Sequence, residues 1–334
     1  MSVSTLKEVA EKANVSLATV SYVMNGKGDI SDQTKERVLA AAEEVGYKSA
    51  ARARKYGGEK ENIMGIVTSN FRGPFFSQLL TSVEEAAIAN GCHLMAYSTA
   101  TGSSEQLLKH VFKTHRPSGL IVMAYNISDD ILLKYSARDF PIVTIDRSVD
   151  GEHLWSVTMD NERGAYDAVR YLVSCGHREI AFMGGSFMAY ETQARYMGYC
   201  SALKEAGIDV ASQLYCQGGH TESGGYSTAK ILIAQKRMPS ALFCANDEMA
   251  LGVMLACREA GIRIPDDLSL IGFDNIETAK YVEPALTTVR QPVDEVGGMA
   301  LQTLIMAIHG NNPVKHMRIP TELVIRKSVK SVSD

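Results

Sequence analysis

TLKEVAEKANVSLATVSYVMN, residues 5–25 of the chain, predicts two short helices joined by a tight turn. Thr5 and Glu8 have the spacing of a capping box, which begins a helix. Asn14 interrupts the helical pattern and tolerates the left-handed backbone that a tight turn needs. Ser16 then caps the second helix. The apolar face of that second helix is formed by Val20, Val23 and Met24.

A third helix is predicted to follow this pair, with Ser31 as its cap and Gly46 at its C-terminal end. Its inward-facing residues are Val38, Leu39, Ala42 and Val45. Two short helices joined by about three residues and followed by a third are typical of a helix-turn-helix DNA-binding domain. Because small helical caps without a DNA role have the same spacing, the layout alone leaves both interpretations open.

Residues 5–25 also resemble the signature of the lactose-repressor (LacI/GalR) family of bacterial transcription regulators. The family pattern T-[IL]-x-[DE]-V-A-x-x-A-x-V-S-x-x-T-V-S-x-x-[LVM]-N is matched at every fixed position. The resemblance implies that Leu17, Ala18 and Tyr22 lie at the positions that read base edges. It also implies a set of residues that hold phosphates and set the register on DNA: Thr5, Ser16, Thr19, Ser21 and Asn25.

Tyr22 departs from the family's usual residue. Most members carry Arg at this position, and Arg is the commonest reader of guanine in the major groove. Tyr22 cannot make a bidentate contact to guanine, so we expect the operator to differ from the usual family half-site at the matching base.

The segment 47–56, YKSAARARKY, resembles the neck that follows the DNA-binding domain in this family. In relatives this neck folds into a helix on DNA, enters the minor groove and inserts a Leu between base steps. Here Ser49 and Ala50 replace the usual Pro and Asn, and the wedge position holds Tyr56. The resemblance implies DNA contacts by Tyr47, Arg54 and Tyr56, and the positive charge of the neck adds Arg52. A plain solvated linker is the alternative for this segment.

From Asn62 onward the chain alternates short apolar strands with amphipathic helices. The predicted strands are 63–68, 93–97, 119–124, 141–145, 180–183, a strand near 214, 241–244 and 268–271. Such alternation indicates a parallel sheet covered by helices on both faces. Because the alternation starts again near residue 161, we expect an α/β fold of two doubly wound halves. A ligand cleft is then expected at the carboxyl ends of the strands.

The sequence therefore predicts a three-part chain. The parts are a helix-turn-helix head at 1–47, a hinge helix or linker at 48–61, and an effector-binding and dimerisation domain at 62–334. The two halves of the last part are about 62–160 plus 291–319, and about 161–290 plus 320–334.

Motifs along the third part resemble the body of the same family, at 157–161, 176–182, 195–198, 246–252, 271–275 and 286–292. This body is also similar to periplasmic sugar-binding proteins. A solute-binding protein without a DNA role is therefore the alternative function.

Three polar residues, Asp146, Asn246 and Asp274, come directly after apolar strand runs. A residue in such a position either caps the next helix, as Asp247 is expected to do, or hydrogen-bonds a ligand. The resemblance implies that these three residues, together with Arg195, bind the effector.

Aromatic residues and a histidine complete the predicted effector site. Phe75 and Phe76 can offer an apolar face to a ligand at the mouth of the first half, although one of them can instead lie in the core. His220 matches a position that is often aromatic in relatives, and a purely structural role is its alternative. The carboxylates and the guanidinium favour a sugar or sugar derivative as the effector, while a purine-like ligand stays open.

Charge and composition point to a DNA-binding protein of the cytoplasm. The net charge is −4, but residues 1–60 carry 10 Lys and Arg against 8 Asp and Glu, so the positive charge lies in the predicted DNA-binding part. The six cysteines are widely spaced, which argues against disulfides or a structural zinc site. With no secretory signal and no apolar membrane span, we expect a cytoplasmic location.

Catalytic patterns are weak or missing. The sequence has no G-x-G-x-x-G, Walker or H-E-x-x-H motif, and its two S-x-x-K matches lack companion motifs. We therefore predict a non-enzymatic, cofactor-free repressor that binds operator DNA as a homodimer under control of a small molecule. The C-terminal residues 328–334 are too short for a tetramerising heptad helix.

Overall fold

The computed structural model describes residues 6–25, 30–45, 62–100, 103–114 and 117–332. The chain forms two units, residues 1–61 and residues 62–334. Five of the predicted DNA-contacting residues lie outside the described residues: Thr5, Tyr47, Arg52, Arg54 and Tyr56. The side chain of Asn25 and the predicted hinge at 48–61 lie outside them as well.

The described part of the first unit contains the helices α1 (Leu6–Ala13), α2 (Leu17–Asn25) and α3 (Asp32–Glu44). Their shared core consists of Val9, Ala10, Ala13, Val20, Val23, Val38, Ala41 and Ala42. Asn14 has a φ of 50°, which confirms the left-handed turn between α1 and α2. The Ser16 hydroxyl accepts a hydrogen bond from the Thr19 amide at 3.1 Å, so the predicted cap of α2 is confirmed. An ion pair of 2.7 Å between Lys12 and Glu44 connects α1 to α3.

The second unit alternates strands and helices along the chain. Its strands are β1 (Ile63–Thr68), β2 (His93–Ser98), β3 (Leu120–Met123), β4 (Ile142–Ile145), β5 (Leu154–Met159), β6 (Ile180–Gly184), β7 (Tyr215–Gln217), β8 (Ala241–Cys244), β9 (Ser269–Ile271), β10 (Thr288–Arg290), β11 (His316–Ile319) and β12 (Glu322–Val324). Its α-helices are α4 (Pro74–Ala89), α5 (Ser104–Thr114), α6 (Asp129–Tyr135), α7 (Asn161–Ser174), α8 (Tyr190–Glu205), α9 (Glu222–Ala234), α10 (Asp247–Glu259) and α11 (Val293–Ile308). Short 3-10 helices cover Val210–Ser212 and Glu277–Lys280.

The first half is built on a six-stranded sheet of order β11-β5-β4-β3-β1-β2, in which every pairing is parallel. Successive strand residues point to opposite faces, so Ile66 packs in one apolar cluster and Val67 in another. The first cluster includes apolar side chains of α4 and α11, and the second includes side chains of α5 and α6. Burial on both faces explains why these strands are continuous apolar runs.

The second half is built on a four-stranded parallel sheet of order β7-β6-β8-β9, packed with α7, α8, α9 and α10. Its core is centred on aromatic rings. The centroid of Phe243 lies 5.6 Å from that of Phe182 and 6.4 Å from that of Phe273. The predicted α/β class with doubly wound parallel sheets is therefore confirmed.

The described chain passes between the two halves three times: from β5 to α7, from β10 to α11, and from β11 to β12. The helix α11 packs in the core of the first half, where β11 pairs with β5. The strand β12 returns to the second half and forms an antiparallel pair with β10. The C-terminal part of the chain therefore contributes α11 and β11 to the first half and β12 to the second half, which connects the two halves.

All six cysteines are free, and five of them are buried. None of the helices in the described ranges is long and apolar enough to cross a bilayer. Within those same ranges, no group of three or more His, Cys, Asp or Glu side chains is arranged to hold a metal ion.

Two helical glycines should respond oppositely to alanine. A Cβ at Gly252 of α10 would lie 2.0 Å from the Glu222 carbonyl oxygen of α9, whereas a Cβ at Gly298 of α11 would meet no atom within 4 Å. We expect Gly252→Ala to lower the free energy of unfolding by about 1–3 kcal/mol through overpacking. Gly298→Ala should raise it by about 0.5–1 kcal/mol because alanine favours the helix. Denaturant unfolding of the two variants checks this, and equal transition midpoints would contradict the packing of α9 on α10.

Candidate functional site

The exposed face of α2 carries the residues predicted to read DNA bases. Leu17 and Tyr22 are 53% and 51% exposed, unusually high for large apolar side chains, and Ala18 is exposed beside them. Val20 and Val23 lie on the opposite face of α2 and are buried in the core of the first unit. Since positions four apart share one helix face, Ala18 and Tyr22 project together. The core of the first unit thus leaves this face of α2 open to a partner.

Two polar residues near the start of α2, Ser16 and Thr19, already form capping hydrogen bonds. The hydroxyls of Ser16 and Thr19 lie 2.8 Å apart, in addition to the bond from the Thr19 amide to Ser16. Ser21 is partly buried one turn further on. The amino end of a helix carries a partial positive charge, which favours an anion such as a phosphate at this end of α2.

In the second unit, polar residues follow the strands at one edge of each sheet. Asp146 follows β4, Asn246 comes two residues after β8, and Asp274 comes three residues after β9. Asp146 and Asp274 have φ values of 62° and 111°, which are sparsely populated for residues other than glycine. His220 has a φ of 57° in the loop after β7.

Arg195 of α8 connects these residues across the two halves. It is 3% exposed, and its Nε donates to Asn161 Oδ1 at 2.8 Å. Its Nη1 lies 3.5 Å from Asp274 Oδ1 and also donates to the Ala245 carbonyl. Asn161 in turn donates from Nδ2 to Asp146 Oδ1 at 3.3 Å. The predicted residues Asp146, Arg195 and Asp274 therefore belong to one network.

The ring of Phe273 supports the same guanidinium. The Arg195 Cζ lies 3.9 Å from the ring centroid, close enough for a cation–π contact in a buried setting. This stacking fixes the plane of the guanidinium and its contacts to Asn161 and Asp274.

Burial controls the charges of both network carboxyls. The pKa of Asp146 is raised to about 7, chiefly by burial and also by the negative charge of Glu191, while Arg195, the Met159 amide and Asn161 act in the opposite direction. Burial also raises the pKa of Asp274 well above its ordinary value, against the influence of Arg195. The desolvation of each carboxyl therefore outweighs its favourable contacts.

Five enclosed side-chain polar atoms of the described residues lack a hydrogen-bond partner. Three of them belong to residues of this region, namely Asp146 Oδ2, Gln291 Oε1 and Arg147 Nη2, and the other two are Asp129 Oδ1 and Trp155 Nε1. Gln291 donates from its Nε2 to Asp274 Oδ1 at 2.5 Å, so only its carbonyl oxygen is unused. Because buried polar atoms are nearly always hydrogen-bonded in proteins, these atoms mark a place for further partners.

Asp146 and Arg147 face an open cavity. Its wall consists of Ser69, Phe76, Met123, Ala124, Tyr125, Ile145, Asp146, Arg147, Tyr190 and Glu191. Phe76 lines this cavity, whereas Phe75 packs against the core of the first half and meets Phe76 edge to face. Of the two predicted aromatic residues, only Phe76 borders the cavity.

His220 and Asn246 lie next to each other in the second half. The Asn246 Nδ2 donates to the His220 carbonyl at 3.2 Å, and the His220 Nε2 lies 3.0 Å from the Thr192 hydroxyl. Burial lowers the pKa of His220, with Glu191 opposing this shift. The Asn246 amide and the His220 Nε2 therefore already have hydrogen-bond partners within the protein.

The expected cap at Asp247 was wrong. Asn246 caps α10, since its Oδ1 accepts from the Met249 amide at 3.0 Å. Asp247 is instead fully buried and accepts from Thr288 at 2.6 Å and from the Ile276 amide at 2.9 Å. Its carboxylate holds the loop after β9 in place, close to Asp274.

Sequence reasoning missed five residues of this region: Asn161, Gln291, Arg147, Tyr190 and Glu191. Asn161 and Gln291 each come just after a strand, the same signal that selected Asp146. They were overlooked because β5 and β10 were not predicted as strands. No comparable signal marks Tyr190 and Glu191, which begin α8.

Comparison with known proteins agrees with this geometry. Residues 5–49 match the model of bacterial regulatory proteins of the lacI family, and residues 169–329 match a periplasmic binding protein-like domain. The HTH-type transcriptional repressor PurR of Pasteurella multocida is 32% identical over 332 residues, which covers 98% of this chain and 99% of that relative. The chain belongs to the LacI family. It is accordingly a DNA-binding transcriptional repressor, and the prediction that it is not an enzyme is confirmed by these relatives.

Two solved LacI-family structures have a similar fold. The lac repressor dimer bound to operator and the anti-inducer ONPF is 27% identical, with a TM-score of 0.74 and coverage of 98% of this chain and 100% of that one. A LacI-family regulator from Enterococcus faecium with bound ribose is 26% identical, with a TM-score of 0.75 and coverage of 81% and 100%.

The high pKa of Asp146 predicts a pH-dependent stability. Because its pKa is higher in the folded than in the unfolded protein, the wild type should lose stability as the pH rises toward about 7. We expect Asp146→Asn to raise the melting temperature by an amount that grows between pH 5 and pH 8. Asn is well suited to the left-handed backbone at this position.

Thermal unfolding across this pH range checks the expectation. The solvent-exposed Asp130→Asn variant is the control and should show a constant offset from the wild type. A difference for Asp146→Asn that does not change with pH would contradict a buried, strongly desolvated carboxyl.

Proposed function

We propose that this LacI-family repressor binds operator DNA in the cytoplasm as a homodimer and is controlled by a small molecule bound between the two halves of its second unit. The convergence of Asp146, Arg195 and Asp274 on one network beside a cavity supports this proposal. The enclosed polar atoms without partners are the contacts that such a ligand supplies.

The exposed face of α2 is the proposed reader of the operator. Leu17, Ala18 and Tyr22 contact base edges in the major groove, as the second helix of a helix-turn-helix does. The phosphate contacts come from Thr5, Ser16, Thr19, Ser21 and Asn25. The neck adds contacts from Tyr47, Arg52, Arg54 and Tyr56. Two copies of the head then occupy the two half-sites of a near-palindromic operator, since the symmetry of the protein is mirrored in the DNA.

The proposed effector is a sugar or sugar derivative. Asp146 and Asp274 offer acceptor oxygens, Arg195 offers donors, and Phe76 offers an apolar face to a ring. His220 and Asn246 border the same network. The Enterococcus faecium regulator, similar in fold over its whole length, was crystallised with ribose, which favours the same ligand class.

Effector control follows from a difference in affinity between two arrangements of the halves. The halves are joined by three chain crossovers, so a ligand that contacts both can favour one relative rotation. Such a ligand acts only as far as it prefers one arrangement, and operator and effector must affect each other's affinity by the same factor.

Tyr22 should determine one base of the operator. Selection of binding sites from random DNA with the full-length protein identifies the preferred sequence. In Tyr22→Ala we expect the preference at one position of each half-site to relax by about 1–3 kcal/mol, since a base contact is lost. Glu11→Gln, on the exposed side of α1, is the control and should select the wild-type sequence. An unchanged preference in Tyr22→Ala would remove Tyr22 as a reader.

Asp274 should contribute strongly to effector affinity. A thermal-shift screen against sugars and nucleosides identifies a compound that stabilises the wild type. Calorimetry with that compound should show Asp274→Asn binding about 10- to 100-fold more weakly, because a hydrogen bond to a charged group is lost. Asp130→Asn is the matched exposed control. An affinity of Asp274→Asn equal to that of the control would place the effector elsewhere.

A further inference from the structure

The first part of α2, residues 17–22, contains no charged side chain and no carboxamide. Its sequence is LATVSY. Bidentate recognition of guanine in the major groove uses the guanidinium of Arg or the ammonium of Lys, and that of adenine uses the carboxamide of Asn or Gln. The carboxylates that accept from cytosine are missing from this segment as well. Residues 17–22 therefore cannot read a half-site through any of these side-chain groups.

The small hydroxyl groups of the same segment are already engaged within the protein. The Thr19 hydroxyl lies 2.8 Å from that of Ser16, and Thr19 is half-buried. Ser21 is half-buried too and interacts with another group of the protein. Because these hydroxyls have partners, they leave base recognition to the residues that project further from the helix.

The surface that projects from α2 is mainly apolar. Leu17 and Tyr22 each expose about half of their surface, and Ala18 is exposed between them. In the major groove, the C5 methyl group of thymine is the feature that apolar side chains contact. Burying a group of this size against apolar surface changes an affinity by about fourfold. From Leu17 to Tyr22 the helix rises about 7.5 Å, which corresponds to about two base-pair steps of DNA.

We infer that α2 recognises its operator through thymine methyl groups, which lie on two or three adjacent base pairs of each half-site against Leu17, Ala18 and Tyr22. This inference rests on the proposed function, because it names the class of base that the same helix face recognises. Apolar contact supplies the sequence preference at Leu17 and Ala18, whose side chains have no polar atom. The Tyr22 hydroxyl can add one hydrogen bond to a neighbouring base edge.

Two modified bases distinguish the methyl group of thymine from its hydrogen-bonding groups. Uracil keeps the O4 acceptor of thymine and lacks the methyl group. 5-Methylcytosine keeps the methyl group and carries an amino donor in place of the O4 acceptor. A side chain that recognises only the methyl group should therefore reject uracil and prefer 5-methylcytosine to cytosine.

The experiment begins with the selection of binding sites from random DNA by the full-length protein. Each thymine of the selected half-site is then replaced in turn by uracil, by cytosine and by 5-methylcytosine, with the matching partner base. The dissociation constant is measured by fluorescence anisotropy at one salt concentration, because phosphate contacts make it depend on salt. The proteins compared are the wild type, Leu17→Ala and, as the control, Glu11→Gln on the exposed side of α1. Since Leu17 is exposed and alanine is a strong helix former, Leu17→Ala should keep the wild-type melting temperature.

In the wild type, we expect uracil at a contacted thymine to weaken binding about fourfold when one half-site is changed and about 15-fold when both are changed. 5-Methylcytosine should bind about fourfold more tightly than cytosine at the same position. Leu17→Ala should reduce the uracil effect to less than about twofold at one thymine, whereas Glu11→Gln should keep the wild-type effect. A change in DNA shape would affect both variants equally, so their comparison isolates the side-chain contact.

Two kinds of result would overturn the inference. A specific operator whose affinity is insensitive to uracil, or uracil effects that are equal in the wild type and Leu17→Ala, would exclude methyl recognition and leave the proposed function standing. A selection that yields no preferred sequence would overturn the proposed reading of the operator by α2, and this inference with it.

Discussion

The pairing of one buried guanidinium constrains the whole cleft. Arg195 is nearly inaccessible to water, and an unpaired charge in that position would be strongly destabilising. Its Nε therefore donates to Asn161, its Nη1 lies against Asp274 and the Ala245 carbonyl, and its flat face stacks on Phe273. These partners come from three different parts of the chain. A loop that moved away from the guanidinium would leave a buried charge without a partner.

The network extends from the second half into the first through Asn161. This residue stands where the chain leaves β5 for α7, and it joins Arg195 to Asp146 at the end of β4. Asp146 and Asp274 keep sparsely populated backbone angles because these contacts hold them in place. The network is thus connected to the crossover from β5 to α7, and the cavity beside it is lined by Asp146, whose Oδ2 has no partner in the described chain. This combination suits a cleft whose ligand contacts both halves, as we propose for the effector.

Local patterns predicted most of the fold. The spacing of Ser16 and the apolar face of α2 located the helix-turn-helix because caps and helix faces depend on residues within a few positions. The apolar runs located β1 to β4 correctly. The strands β5, β10, β11 and β12 were not predicted. The last three are three or four residues long and pair with one another or with β5, so no local pattern marks them.

For the candidate site too, some features followed from the sequence and others only from the tertiary structure. Sequence alone determined the family, the exposed face of α2 and three members of the cleft network, Asp146, Arg195 and Asp274, because these follow from short motifs and strand ends. Only the tertiary structure decided that Phe75 belongs to the core and that Gln291 and Asn161 join the network. It also decided which charges are neutralised. Ion pairing depends on distances between residues far apart in sequence, and those distances are set only when each half has folded.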